Sequence, residues 1–504
     1  MATDTASETE TAEYEAFLER VQRYTNVGNA AGVLGWDQEV MMPEGGTPAR
    51  SQQLSALSAV GHELLTDEGT ADHLDALEDA ELDDEQAAVV REVRREHDRA
   101  TSVPTELVEE ISRTTSEAHP KWKQAKEEDD FSIFAPTLEK LVELKREYAE
   151  HVDPNADPYA VLFAEYEPYL DLDTADRVLT RLKEELVPLI DDIADSEADL
   201  ATDAFAGEFP EDEQESFVRD VLDELGYDWD RGRLDTAPHP FSSGTQFDAR
   251  VTTRFDEADP LGALTSTIHE FGHASYTQGL PDEHYGTPLG QSRDLSVHES
   301  QSRFWENHVG RTKAFWELIL PDMKAQFLQL EDVTVEDAYE AANQVYDDNL
   351  IRVEADELTY HMHIIIRYEV EQALISGDLA VEDVPEVWND KYEEYLGIRP
   401  ETDAEGCLQD IHWSHGSFGY FPTYSLGSVL AAQIDATMRE DLDVDALVRD
   451  GEFDEIMTYL NEHVHGHGSL YTTDDLIEEA TGESFTADYF VEYAEEKFGD
   501  LYDV

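Results

Sequence analysis

Apolar residues recur three or four positions apart along most of this 504-residue chain, and that period predicts a mainly helical protein. Tyr14, Phe17, Leu18, Val21 and Tyr24 open the pattern, and a mostly apolar run over 29–40 ends at Trp36-Asp37. A turn over 41–46 separates it from a helix over 51–65. Residues 67–129 read as a strongly charged helical region with Val89, Val90 and Val93 on its inner face. Further amphipathic helices are expected over 134–148, 174–193, 296–313, most of 333–375, 425–442, 453–464, 474–481 and 487–498. One stretch breaks the helical period. From Phe247 to Phe255 the residues alternate, with Phe247, Ala249, Val251, Thr253 and Phe255 on one face and Asp248, Arg250, Thr252 and Arg254 on the other, which predicts a strand. Loops are expected over 238–244 and 281–290, and an irregular Gly- and aromatic-rich stretch over 405–426. Residues 1–11 read as a flexible acidic tail. With no repeat or linker beyond it, 12–504 is expected to form a single domain, whose N-terminal helices around Trp36-Asp37 are a candidate lid.

The sharpest chemistry lies just after the strand. Asp259 suits a helix cap and Pro260 a first helical position. Leu261, Leu264, Ile268 and Phe271 give the helix a buried face, and Gly279 and Pro281 suit its end. Inside it stands His269-Glu270-Phe271-Gly272-His273. One helical turn puts His269 and His273 on the same face, where two neutral imidazoles can hold one Zn²⁺. Glu270, beside them, can act as general base on a water that the metal activates. A catalytic zinc keeps three protein ligands and an open position. Glu299, 26 positions after His273, is the expected third ligand, with His298 and Glu306 as rivals. A strand directly before such a helix suits a cleft whose edge pairs with an extended peptide.

Composition narrows the setting. Asp and Glu total 117 against 34 Lys and Arg, a formal charge of −83 spread over the whole length, and Lys supplies only ten of the cations. Such a surface stays hydrated and dispersed in concentrated salt, where repulsion is screened within about 3 Å, so the chain reads as a halophile's protein. It disfavours nucleic acid and anionic membranes as partners. The single cysteine, Cys407, excludes an intrachain disulfide and zinc sites built on several thiolates. The N-terminus lacks a basic and an apolar region, and no apolar run reaches membrane-spanning length, so a cytoplasmic protein is expected.

Five further motifs accompany His269–His273: His239-Pro240-Phe241; Asp248-Ala249-Arg250-Val251-Thr252; His298-Glu299-Ser300-Gln301; Ile351-Arg352-Val353-Glu354-Ala355-Asp356; and Gly406-Cys407-Leu408-Gln409-Asp410-Ile411-His412-Trp413. With these six in order, the chain resembles the carboxypeptidase Taq family of zinc metallocarboxypeptidases from about Tyr14 to its end. The resemblance implies a large helical zincin-type peptidase fold with a deep cleft and a small sheet beside the active site. It also implies a homodimer, one Zn²⁺ per subunit with Co²⁺ as a substitute, and release of single residues from peptide C-termini with broad preference and poor action on proline. It gives His269, His273 and Glu299 to the metal and Glu270 to catalysis, as the residues themselves suggest. An exopeptidase must also grip the terminal carboxylate, which suits a guanidinium fork. Arg352 is the first candidate and Arg250 the second, with His239 also expected at the substrate. Tyr420 and His412 are candidate donors to the oxyanion. Asp356 and Asp410 are candidates to orient the metal-binding histidines. The alternate histidines His463, His465 and His467 read as a helix-ending turn. The competing functions are a zinc oligoendopeptidase, which needs no arginine for a terminal carboxylate, and a peptide-binding protein without activity, which would need no Glu270.

Overall fold

The computed structural model describes residues 2–346, 348 and 350–504, with side chains from Ala12 on; the tail expected over 1–11 lies outside the residues described at side-chain level. The fold is mainly helical with one three-stranded sheet. The first helix, Ala2–Val40, runs unbroken through what the sequence divided in two, and pairs with a second, Thr47–Thr66. The charged region resolves into three helices, Glu68–Leu77, Asp84–Ser102 and Thr105–Glu128. Val89 and Val93 are buried, as expected of its inner face. Together with Tyr14, Phe17, Val21, Leu65 and Leu74 they form an apolar cluster distinct from the main core.

The main core gathers the remaining helices around the one that carries the histidine motif, Pro260–Gly279. Pro260 stands at its start, and the Asp259 carboxylate accepts the Gly262 N–H at 2.8 Å. Leu264, Ile268 and Phe271 are all but fully buried, each contributing about 1.5–3 kcal/mol by burial. The sheet lies beside this helix. Strands β1 (Gly232–Thr236), β2 (Ser242–Thr245) and β3 (Asp248–Thr253) are ordered β1-β3-β2, with β1 parallel and β2 antiparallel to β3, so β2 is an edge. Ala249, Val251 and Thr253 of β3 face the core, as the alternation predicts, but Thr252 is buried as well and Phe247, just before the strand, is exposed.

Several elements differ from the sequence expectation. Residues 242–244 were expected in a loop and belong to β2; Ser-Ser-Gly-Thr has no apolar alternation to betray a strand. The helix Glu211–Leu225 carries seven acidic residues among its fifteen, and its apolar stripe is easily lost among them. The helix expected over 296–313 is three pieces: Leu295–Arg303, a π-helical stretch Phe304–Gly310, and a new helix, Lys313–Gln326, capped by Thr312. Among the described residues of 343–359 there is no α-helix, only a short 3₁₀ turn at Arg352–Glu354. There Asp356 accepts the backbone N–H groups of Tyr346, Leu358 and Thr359, and the Asn343 amide donates to the carbonyls of Arg311 and Tyr339. Side chains that satisfy backbone groups in this way hold a loop against the helical alternative. The histidines of 463–467 make a short turn, His465–His467, with His465 buried between Asn461 and Gln301.

Candidate metal centre and active site

Two helices and one glycine bring the metal donors together. The motif helix packs along Leu295–Arg303, close enough that a Cβ on Gly272 would lie 2.5 Å from the Gln301 carbonyl oxygen and the Ser302 Cα. His269, His273 and Glu299 converge, all three donor atoms within 4.8 Å of one another. Glu299 Oε2 lies 3.8 Å from His269 Nε2 and 3.4 Å from His273 Nε2. Ligands at about 2.0–2.1 Å in a tetrahedron stand about 3.3 Å apart, so the donor set fits zinc with little adjustment. Each histidine turns its other nitrogen to a partner that fixes the ring. His269 Nδ1 meets Glu306 Oε2 at 2.9 Å, and His273 Nδ1 meets His298 Nδ1 at 2.6 Å. Glu306 and His298, rivals for the third position, thus stand behind the ligands.

The charges suit a cation. Burial opposes the ionised form of Glu299, but Arg303 and the two histidines hold its carboxyl far below the usual range. Glu306 is likewise held ionised against burial by Arg303 and Arg311. Burial disfavours an imidazolium at His269, yet Glu299 and Glu306 outweigh it and raise its proton affinity. Burial, reinforced by His273, pushes His298 down to about 3, so it stays neutral and its Nδ1 can accept a hydrogen bond from His273 Nδ1–H. Glu270 is buried, its carboxyl raised by desolvation, and its Oε2 has no hydrogen-bond partner. A buried carboxylate oxygen without a partner is costly and marks a group awaiting a proton donor.

A second group forms around Arg352. The guanidinium is buried, donates from Nε to Asp410 Oδ1 at 3.0 Å and from Nη1 to the Tyr360 hydroxyl at 3.1 Å. Asp410 also takes Arg367 Nε at 2.6 Å on its other oxygen, so one carboxylate faces two guanidiniums. His412, pushed down to about 4 by burial, lies beside this pair, its ring 5.5 Å from that of Tyr420. Tyr420 is edge-on to Tyr166 and Tyr424, and Glu299 is among the charges that raise its hydroxyl. Asp356 and Asp410 do not stand behind the metal-binding histidines as expected. Asp356 is consumed by backbone N–H groups and Thr359, and Asp410 by the two arginines.

Arg250 belongs to another surface. It pairs with Asp248 on its own strand and lies 4.4 Å over the Trp36 ring, which Arg233 covers at 4.9 Å. His239 is exposed in the connection between β1 and β2. A cavity of about 330 Å³ runs between the first helix and edge strand β2, lined by Asn29, Ser243, Gly244, Tyr285, Gln291 and His298. A wider depression of about 530 Å³, lined by Asp192, Asp195, Glu197 and Asp503, contains none of the donor set. The sequence reading missed Arg303, Arg311 and Arg367; only their spacing from Glu299, Glu306 and the helix of 360–376 could have suggested them.

With this geometry, the chain matches the family model described as carboxypeptidase Taq (M32) metallopeptidase over residues 16–498. The chain belongs to the M32 family. It is 38% identical to carboxypeptidase 1 of Bacillus subtilis over 96% of this chain and 98% of that protein. It is also 38% identical to thermostable carboxypeptidase 1 of Thermus thermophilus, over 97% and 99%. Among solved structures, the M32 carboxypeptidase of Deinococcus radiodurans R1 superposes with a TM-score of 0.94 at 38% identity, over 98% of this chain and all of that one. The Pyrococcus furiosus carboxypeptidase gives 0.94 at 37% identity, over 96% and 99%. The protein is thus a zinc-dependent M32 metallocarboxypeptidase, and His269, His273 and Glu299 form the one such donor cluster among the described residues. Among the described residues no helix is long and apolar enough to cross a membrane.

Proposed function

We propose that this M32 enzyme removes one residue at a time from free peptide C-termini, with Glu270 as general base and Arg352 as the grip on the terminal carboxylate. The observation that carries the exopeptidase reading is the shared carboxylate of Asp410 between Arg352 and Arg367. One negative charge against two positive ones leaves a surplus cation in a buried setting, and an incoming carboxylate would balance it. Bound zinc supplies Lewis acidity, polarising the scissile carbonyl and bringing the pKa of water towards neutrality. Glu270 takes the proton of the attacking water on its unpartnered oxygen and passes it to the leaving amine. Tyr420 and His412, whose rings lie 5.5 Å apart, donate to the developing oxyanion. Edge strand β2 holds the rest of the peptide along the cavity that reaches His298.

The remaining features of the reading follow the family resemblance and the charge. Residue preference is broad and weak for C-terminal proline, Co²⁺ substitutes for Zn²⁺, and the enzyme works as a homodimer. The charge of −83 supports work in the concentrated salt of a halophile's cytoplasm and argues against nucleic acid as a partner. Residues 12–504 act as one catalytic domain. Its N-terminal helices serve as a lid; their separate apolar cluster and the Trp36 contact with Arg233 and Arg250 support this. Arg250 and His239 then contribute to substrate binding from beneath that lid.

The test is a pair of peptides of one sequence, one with a free C-terminus and one amidated, followed by mass spectrometry in molar salt. The proposal expects the free peptide to shorten residue by residue and the amidated one to persist. Equal cleavage of both, with internal fragments, would replace it with an endopeptidase.

A further inference from the structure

Arg303 touches both carboxylates that surround the metal donors. It is the last residue of the helix Leu295–Arg303, four positions after Glu299 and three before Glu306, where the chain widens into the π-helical stretch. Its Nε donates to Glu299 Oε1 at 2.8 Å and its Nη1 to Glu306 Oε2 at 3.2 Å. The guanidinium lies 4.9 Å over the Tyr360 ring, which fixes its plane.

The two carboxylates are chemically alike and close to the same histidines, yet their oxygens are used differently. Glu299 gives Oε1 to Arg303 and directs Oε2 at His269 Nε2 and His273 Nε2; besides them only the Ser302 hydroxyl reaches Oε2, at 3.2 Å, and its shorter contact is the Glu299 carbonyl at 2.7 Å. Glu306 gives Oε1 to Arg311 at 2.8 Å and Oε2 to Arg303 and His269 Nδ1. With both its oxygens engaged, Glu306 has no free donor to offer a metal. Glu299, with only Oε1 held by a guanidinium, keeps Oε2 to offer a metal. A carboxylate with two free oxygens can bind a metal through both and fill the position a substrate needs.

We infer that Arg303 is the positioning residue of the metal centre: its fork holds Glu299 as a one-oxygen ligand and reserves Glu306 for His269, which keeps a coordination position open. This rests on the zinc reading of the site. It requires the fork and not merely the charge, because a lysine ammonium cannot span two carboxylates in a fixed plane. Two of the three guanidinium nitrogens of Arg303 are already spent on Glu299 and Glu306.

The experiment compares the full-length wild type with Arg303→Lys and Arg303→Met. Zinc affinity of the metal-free proteins is measured by competition with a chromophoric chelator, kcat and KM at saturating zinc, and folding by circular dichroism. The inference expects zinc affinity to fall about 10–100-fold in Arg303→Met, the range for losing a group that orients ligands. Arg303→Lys, which keeps the charge and guards against a folding failure in the other variant, should hold zinc more tightly than Arg303→Met. With zinc saturating, kcat should fall at least tenfold in Arg303→Lys while KM stays within about threefold. Zinc affinity within twofold of wild type in both variants would overturn the inference. So would a rise in KM with unchanged kcat, which would make Arg303 a substrate contact. A wild type that binds no zinc would instead overturn the metal reading on which the inference depends.

Discussion

Glu299 is held in place from behind by a glycine. The helix Pro422–Asp441 packs against Leu295–Arg303, and a Cβ built on Gly427 would stand 2.5 Å from both Cβ and Cγ of Glu299. Carbon atoms in contact settle at about 3.5–4.0 Å, so Gly427→Ala must push the Glu299 side chain by about 1 Å or spread the helices by as much. Overpacking of this kind costs about 1–3 kcal/mol of stability. The larger effect falls on the metal, because a zinc–carboxylate bond of about 2.0–2.2 Å does not stretch by 1 Å. Gly427→Ala should therefore bind zinc at least tenfold more weakly and lose activity in proportion at limiting zinc. The control is Gly28→Ala in the first helix, where an added Cβ meets nothing within 4 Å and wild-type behaviour is expected. Chelator competition gives the affinities and thermal melts of the metal-free proteins give the stabilities. Wild-type zinc affinity and activity in Gly427→Ala, with only a lowered melting temperature, would refute the claim that this contact sets the ligand.

Three other outcomes follow. Arg352→Met should lower kcat/KM on free-ended peptides at least 100-fold while leaving zinc affinity unchanged, since Arg352 pairs with Asp410 and Tyr360 and touches no metal donor; peptide kinetics beside a zinc titration check this. Burial holds His361 down to about 3, His412 to about 4 and His465 to about 3, below the unfolded value of about 6.5. The unfolded chain then binds more protons than the folded one between about pH 6.5 and 3–4, so stability should be fully present above pH 6.5 and fall steeply on acidification, read as a drop in denaturant midpoint. Burial raises Glu371 to about 7 although Gly419 N–H, Trp413 and Tyr159 all donate to it. The folded state there holds the extra proton, so this group should cost stability as pH rises from about 4.5 through 7, and Glu371→Gln should remove that decline in melts run across the range.

What the sequence made legible was whatever carries a period or a fixed spacing. The motif helix was readable end to end because Asp259, Pro260 and Gly279 frame a regular apolar face. The two histidines needed only one helical turn, and Glu299 only a second helix within reach. The π-helical turn at Phe304–Gly310 was not readable, because it keeps nearly the same apolar period while widening the turn that carries Glu306. The end of the helix at Ala342 was hidden for a related reason: Asp356 accepts the N–H groups of Tyr346, Leu358 and Thr359, and nothing in the local sequence forbids a helix. That same misreading sent Asp356 to the histidines. Asp410 was misplaced because its partners, Arg352 and Arg367, sit 58 and 43 residues away in the chain. Long-range ion pairs of this kind leave no local trace, and the arginines that organise the site were legible only once the fold had brought them to it.

The central claim is that Glu270, with its unpartnered oxygen, carries the proton for a peptidase acting from the C-terminus. The most direct measurement is a mass-spectrometric time course on one free-ended peptide with zinc-loaded wild type and zinc-loaded Glu270→Gln. The account predicts a ladder of products shortened one residue at a time by the wild type, and a rate reduced about 10²–10⁴-fold in Glu270→Gln at equal zinc content. A Glu270→Gln enzyme that produces the same ladder at the wild-type rate would contradict it.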